Sequence, residues 1–260
     1  MSMAYIKNQD ATEFKELARK MYFSNETVAS FLGYATAGQV AAVSRLIEDE
    51  LETRDRRKRE RLLRKARFPQ MKSLDAFDFS QVSLPDGYGI DELESLSFIE
   101  AAQDFVFHGK TGRGKTHLAI ALGMACVARG MQARFFTAAS LVLMLVKANR
   151  EHQLETMLKD IRKCDLVIID ELGYVPLDQE GSRLLFQVMS DCYESRSMII
   201  TTNIEFSKWG VVFGDEKLAS ALIDRLMHHG RLVEFNGTSK RMENALMLGK
   251  APGITKKSML

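Results

Sequence analysis

Two short runs concentrate the residues able to handle a phosphate chain. The first is Gly109-Lys110-Thr111-Gly112-Arg113-Gly114-Lys115-Thr116, which satisfies GxxxxGK[ST]. An apolar run at 105–108 enters it and a helical pattern beginning His117-Leu118-Ala119 leaves it, the context in which this spacing carries meaning. Its glycines permit backbone turns closed to other residues, so that main-chain N–H groups can face phosphate oxygens at the start of a helix. Lys115 is expected to neutralise β- and γ-phosphate oxygens, and the Thr116 hydroxyl to ligate Mg²⁺. The stretch from Gly109 to His117, with Lys110, Thr111 and Arg113, is read as nucleotide-binding.

The second run is Leu166-Val167-Ile168-Ile169-Asp170-Glu171, four apolar residues followed by two acids. A buried strand with this ending delivers carboxylates into the crevice where parallel α/β sheets bind ligands. Asp170 is expected to hold Mg²⁺ and Glu171 to polarise an attacking water as general base. A third run, Met198-Ile199-Ile200-Thr201-Thr202-Asn203, should lie beside it. Asn203 suits orienting water or touching the γ-phosphate, with a turn-forming Asn as the alternative. Arg225, near the end of a helical pattern, has two readings. An arginine given to a neighbouring subunit stabilises phosphoryl-transfer charge, and an arginine near a helix C-terminus is favoured by the dipole. The adjacent His228 and His229 read as a helix C-terminal cap rather than a metal site, since neighbours in sequence do not share a helix face.

The elements that must position these residues alternate along the chain from about residue 90. Strands are expected at 105–108, 133–137, 166–170, 198–203 and 231–235, with helices at 115–129, 139–150, 180–194 and 216–228. Nearly continuous apolar strands separated by helices mean a parallel sheet covered on both faces. The first 69 residues read as helical. Phe14, Leu17, Ala18, Met21 and Tyr22 form one stripe, and Val28, Phe31 and Leu32 follow Ser24 in a second helix. Val40, Val43, Ile47 and Leu51 open a third, which continues through Leu62, Leu63 and Ala66 until Phe68-Pro69 ends it.

The 260 residues are 46% hydrophobic and 27% charged, enough apolar material for a real core. The three cysteines lie far apart with no CxxC pair, which argues against a disulfide scaffold and for a reducing, cytoplasmic compartment. The first residues lack the apolar core of a signal peptide. The longest near-apolar run, 138–146, is nine residues, against roughly 20 for a membrane span. A net charge of +2 hides an asymmetry: residues 54–72 carry ten Lys or Arg against two acids, a local +8. Arg54, Arg56, Arg57, Lys58, Arg59, Arg61, Arg64 and Lys65 suit sequence-blind, salt-sensitive contacts to DNA phosphates, or else form a solvated helix face. Lys147 and Arg150 offer a second basic surface.

Taken together, 109–119 (GKTGRGKTHLA), 165–173 (DLVIIDELG), 200–203 (ITTN) and 223–226 (IDRL) resemble the IstB-type transposition helper ATPases. These are AAA+ proteins encoded beside the transposase of a bacterial insertion sequence, similar to the DnaC/DnaI helicase loaders. The resemblance implies a P-loop NTPase parallel sheet sandwiched by helices, a small all-helical N-terminal domain, and no C-terminal lid domain. It implies 1–69 as the helical domain with its basic linker, 70–249 as the AAA+ domain and 250–260 as a tail. Lys115 and Thr116 match Walker A, Asp170 and Glu171 match Walker B, Asn203 matches sensor 1, and Arg225 matches an arginine finger acting in trans. Arg241, in Ser239-Lys240-Arg241, is expected to contact nucleotide. Implied ligands are ATP and Mg²⁺. Implied partners are DNA, mainly duplex and without sequence preference, a transposase of the same insertion sequence, and further copies of the chain with ATP at their interfaces. A replicative helicase is the alternative partner. A small-molecule kinase and a non-hydrolysing scaffold are more distant readings, and Glu171 argues against the scaffold. Lys110 and Arg113 depart from the family, which commonly has small residues or proline there.

Overall fold

The computed structural model describes residues 8–243. The chain divides into two compact units at Arg61/Leu62. In the first, α1 (Asn8–Lys20) buries Phe14 and Ala18. The Ser24 hydroxyl accepts from the Thr27 N–H and starts α2 (Asn25–Tyr34), satisfying one of the donors a helix start leaves open. Phe14, Ala18, Val28, Val40 and Ile47 form this unit's core. The third helix, α3 (Ala37–Ala66), runs for 30 residues, and the division between units falls within it. Arg54, Arg56, Arg57, Lys58, Arg59, Arg61, Arg64 and Lys65 are all exposed on it. Leu62 and Ala66, at its end, are buried in the core of the second unit.

That unit begins with β1 (Val82–Ser83), α4 (Ile90–Ser95) and α5 (Ser97–Glu100). Then follow β2 (Asp104–His108), α6 (Lys115–Ala128), β3 (Ala133–Thr137), α7 (Ala138–Arg150) and α8 (Leu154–Arg162). The chain continues through β4 (Leu166–Leu172), α9 (Gln179–Cys192), β5 (Ser197–Thr202) and α10 (Trp209–Phe213). It closes with α11 (Glu216–His229), β6 (Gly230–Phe235) and α12 (Lys240–Glu243). The six strands form one sheet in the order β1-β6-β2-β5-β4-β3. Every neighbour pair is parallel except β1 with β6.

The period-two alternation of a strand sends successive residues to opposite faces, and both faces here are covered. Val106, Val167, Ile169, Met198 and Ile200 face one core, shared with α7, α8, α9 and α11. Phe105, Phe107, Leu166, Ile168, Ile199 and Val233 face the other, shared with α6, α4 and α5. Hence the central strands β2, β4 and β5 read as nearly unbroken apolar runs, whereas β6 alternates through Arg231 and Glu234. All nine expected elements of the sheet domain are present with bounds within two residues. Six further elements lacked a sequence signal strong enough to place them: the two-residue β1 and the short α4, α5, α8, α10 and α12. Among the described residues no helix is long and apolar enough to cross a membrane.

Candidate nucleotide-binding site

The loop between β2 and α6 leaves the carboxyl end of a strand flanked by β5 and β6, where the sheet opens a crevice. Gly109 and Gly112 take positive φ (148° and 86°), and a methyl group on either would collide with a second chain segment. At Gly109 the obstacle is the Phe235 carbonyl, and at Gly112 the Ser239 hydroxyl. Further bonds brace the same contact. The Arg113 guanidinium donates to the Phe235 carbonyl at 2.9 Å, and the Lys240 N–H donates to the Gly112 carbonyl at 3.1 Å. The Lys240 ammonium in turn meets Asp78 at 2.9 Å. Hydrogen bonds from Ser80, then Lys240, hold the Asp78 carboxyl well below the usual carboxylate range.

Lys115 opens α6 with its side chain largely buried and folded back over the loop. Its Nζ donates to the carbonyls of Gly109 at 2.5 Å and Lys110 at 2.9 Å. A cation held by two main-chain carbonyls is placed over the loop and can exchange them for stronger anionic acceptors.

The acids come from β4. Asp170 is buried, and its carboxylate accepts from the Thr116 hydroxyl, at 2.9 Å to Oδ1 and 3.2 Å to Oδ2. The Thr201 hydroxyl on β5 donates to Asp170 Oδ1 at 2.5 Å and accepts from the Glu171 N–H at 3.0 Å. Between Ile169 and Leu172 the β4–β5 register slips, and Glu171 adopts φ 62°. This bulge breaks the strand's alternation, a device that re-aims side chains next to functional sites. It lets two consecutive acids serve one crevice, Asp170 from within the sheet and Glu171 exposed on the wall.

The cavity measures about 530 Å³, within the range of small-molecule sites. Of the residues expected from sequence, Thr111, Gly112, Arg113, Gly114, Lys115, Thr116, His117, Glu171 and Asn203 line it. Gly109, Lys110 and Asp170 are not in that lining and connect to it through the bonds above. Arg225 does not line it. Its guanidinium sits over the Phe186 ring at 5.1 Å and donates to the Ala221 carbonyl. Arg241 falls in α12, and its side chain lies outside the described ones. Lys147 and Arg150 are exposed on α7, near Glu151 (3.8 Å) and Glu180 (3.7 Å). Among the described residues, sequence reasoning missed Lys72, Tyr174, Thr201, Thr202 and Lys240, all of which reach the cavity. The doubled threonine closing β5 was the available signal for Thr201.

The polar character of the crevice fits a nucleotide and a hard cation. Thr116 and Asp170 form an oxygen donor pair of the kind Mg²⁺ takes. Among the described residues the buried His117 Nε2 has no hydrogen-bond partner, so a nucleotide group could supply one. Burial, then the charges of Lys72 and Lys240, push the His117 imidazole below its ordinary range. The thiols offer no competing chemistry: burial pushes Cys126 and Cys192 up to about 12 and raises Cys164.

Comparison with known proteins points the same way. Residues 17–247 match the family described as IstB-like ATP binding protein. The ATP-binding protein of insertion sequence IS5376 from Geobacillus stearothermophilus is 40% identical over 76% of this chain and 79% of its own length. That of IS21 from Pseudomonas aeruginosa is 37% identical over 78% of this chain and 77% of its own. Among solved structures, DnaI superposes with a TM-score of 0.50 at 17% identity, covering 64% of this chain and 91% of that one, a likeness of fold.

Proposed function

As the chain belongs to the IstB-like ATP-binding protein family, we propose that it hydrolyses ATP and uses the bound and hydrolysed states to control its own assembly on DNA beside a transposase. The observation that carries this reading is the Thr116–Asp170 pair, which joins the phosphate loop to the acidic strand with Glu171 next to it. Main-chain amides of residues 109–114 receive the phosphates. Lys115 leaves the carbonyls of Gly109 and Lys110 for phosphate oxygens. Thr116 and Asp170 would hold Mg²⁺, which neutralises charge on the phosphates when bound. Glu171 takes the proton of the attacking water, and Asn203 orients that water. Arg225, outside the lining of its own cavity, is supplied to the cavity of a neighbouring copy. That places ATP at subunit interfaces.

Coupling to assembly requires that the assembled state bind ATP more tightly than ADP, because a ligand shifts an equilibrium only by its differential affinity. The relatives named for insertion sequences support a transposase of the same element as partner. The basic run on α3 supports duplex DNA as the surface on which copies gather, in the cytoplasm. The second reading, a helicase loader, is supported by the DnaI-like fold and shares every catalytic residue.

Replacing Glu171 with Gln tests the proposal, since it keeps the side chain's shape and removes the base. ATPase turnover should fall by about 10²–10⁴, and the variant should sediment with ATP as a persistent oligomer on duplex DNA. Unchanged turnover removes Glu171 from the reaction. Persistent binding confined to single strands with a helicase favours the loader.

A further inference from the structure

We propose that Glu194, His228 and His229 form a binding site for one divalent transition-metal ion of the zinc type, separate from the nucleotide crevice. His228 and His229 close α11, and Glu194 lies two residues beyond the end of α9. One ligand atom from each of the three side chains lies within 4.8 Å of the others. His229 Nε2 and Glu194 Oε1 are already 2.9 Å apart, and the two imidazole rings are 4.8 Å apart. Tetrahedral ligands at about 2.0 Å from zinc stand roughly 3.3 Å from one another, so small rotations bring the three donors onto one ion. Adjacent histidines do not share a face within a helix, but at its last two positions both rings turn toward the incoming Glu194.

The donor set selects the class of ion. Two imidazoles and one carboxylate suit zinc, nickel or cobalt, whereas Mg²⁺ and Ca²⁺ prefer oxygen throughout. Three protein ligands at an exposed position leave the fourth to water. Two features outside the ligands favour a cation there. Both α9 and α11 present their C-terminal ends, where the helix dipole gathers partial negative charge. The Tyr193 hydroxyl lies 3.1 Å from His228 Nδ1, so that with Nε2 on the ion it would supply the outer-sphere bond that fixes the ring. Glu194 also holds φ 56°, in the left-handed region that disfavours a non-glycine residue. The turn therefore carries a carboxylate where a glycine would be less strained. The nearest guanidinium on the same helix, Arg225, is engaged by Phe186 and the Ala221 carbonyl.

The test uses the full chain, stripped with chelator and returned to buffer with millimolar Mg²⁺ to occupy the nucleotide crevice. Equilibrium dialysis against Zn²⁺ should leave one tightly held equivalent, and Co²⁺ should give the intense visible bands of a tetrahedral site. The pair His228→Ala and His229→Ala should abolish that equivalent. Glu194→Gln should weaken it by at least about tenfold. Asp170→Asn should retain it in full. The proposal fails if the unaltered chain holds no Zn²⁺, if the double variant holds as much as the unaltered chain, or if Asp170→Asn loses the equivalent. Far-ultraviolet circular dichroism identifies any variant that has unfolded, and His228→Gln with His229→Gln then takes the place of the alanine pair.

Discussion

Thr201 holds both halves of the acidic pair, donating to Asp170 and accepting from the Glu171 N–H. Removing its hydroxyl leaves the Glu171 N–H without that acceptor and Asp170 Oδ1 with the Thr116 hydroxyl alone, at about 1–3 kcal/mol. The expected result for Thr201→Val is an ATPase turnover at least about tenfold lower, since about 1.4 kcal/mol in the barrier is tenfold. Nucleotide affinity should change far less, because the phosphate loop is untouched, and Thr201→Ser should restore turnover. Steady-state kinetics beside binding of a nonhydrolysable analogue separates the two effects; equal losses in both would make Thr201 a general structural residue. At this scale the sequence named Lys115, Thr116, Asp170 and Glu171, because spacing alone marks them. It could not name Thr201, because which hydroxyl meets which acid depends on a register slip between two strands far apart in the chain. Nor could spacing bring Glu194 to His228 and His229, a meeting made only by the packing of α9 against α11.

Single elements carry their own test. Asp104, the first residue of β2, is buried; its Oδ1 accepts from the Met198 N–H at 2.7 Å and its Oδ2 has no partner. Burial pushes its carboxyl up to about 7. Between pH 4 and 7 the unfolded chain has therefore released a proton that the folded chain keeps. Stability falls as pH rises through that window and levels above it. From pH 5 to 8 the loss should be roughly 2–3 kcal/mol, from 1.36 kcal/mol per pKa unit. Asp104→Asn should abolish that slope, as read by urea unfolding followed through the buried Trp209, the only tryptophan of the chain. Parallel pH profiles for the two proteins would place the slope elsewhere. The same burial explains why β2, β4 and β5 were legible: with both faces covered, no polar alternation interrupts their cores. β1 offers two residues and α10 five, too few for any period to register.

For the molecule as a whole, charge distribution separates a function from a fold. The cations of α3 are exposed, and among them Arg54 meets Glu50 at 2.7 Å, half open to solvent and worth little to stability. If the others gather on phosphates, neutralising Arg56, Arg57, Lys58 and Arg59 should weaken duplex binding and flatten its salt dependence. The slope should fall by up to about 0.9 for each phosphate that these side chains no longer neutralise. An unaltered slope in a filter-binding titration assigns these side chains to a solvated face. The existence of a basic run was plain from composition. The choice between transposase and helicase was not, because the two readings share their chemistry and differ in a recognition surface that no motif encodes. The contact of Phe235, Ser239 and Lys240 with the glycines of the phosphate loop has a practical corollary. A protease site there doubles as a gauge of occupancy. Trypsin cutting after Lys240 should slow when an ATP analogue fills the crevice that Lys240 borders, and an indifferent cutting rate would mean that this strap does not sense what it rests upon.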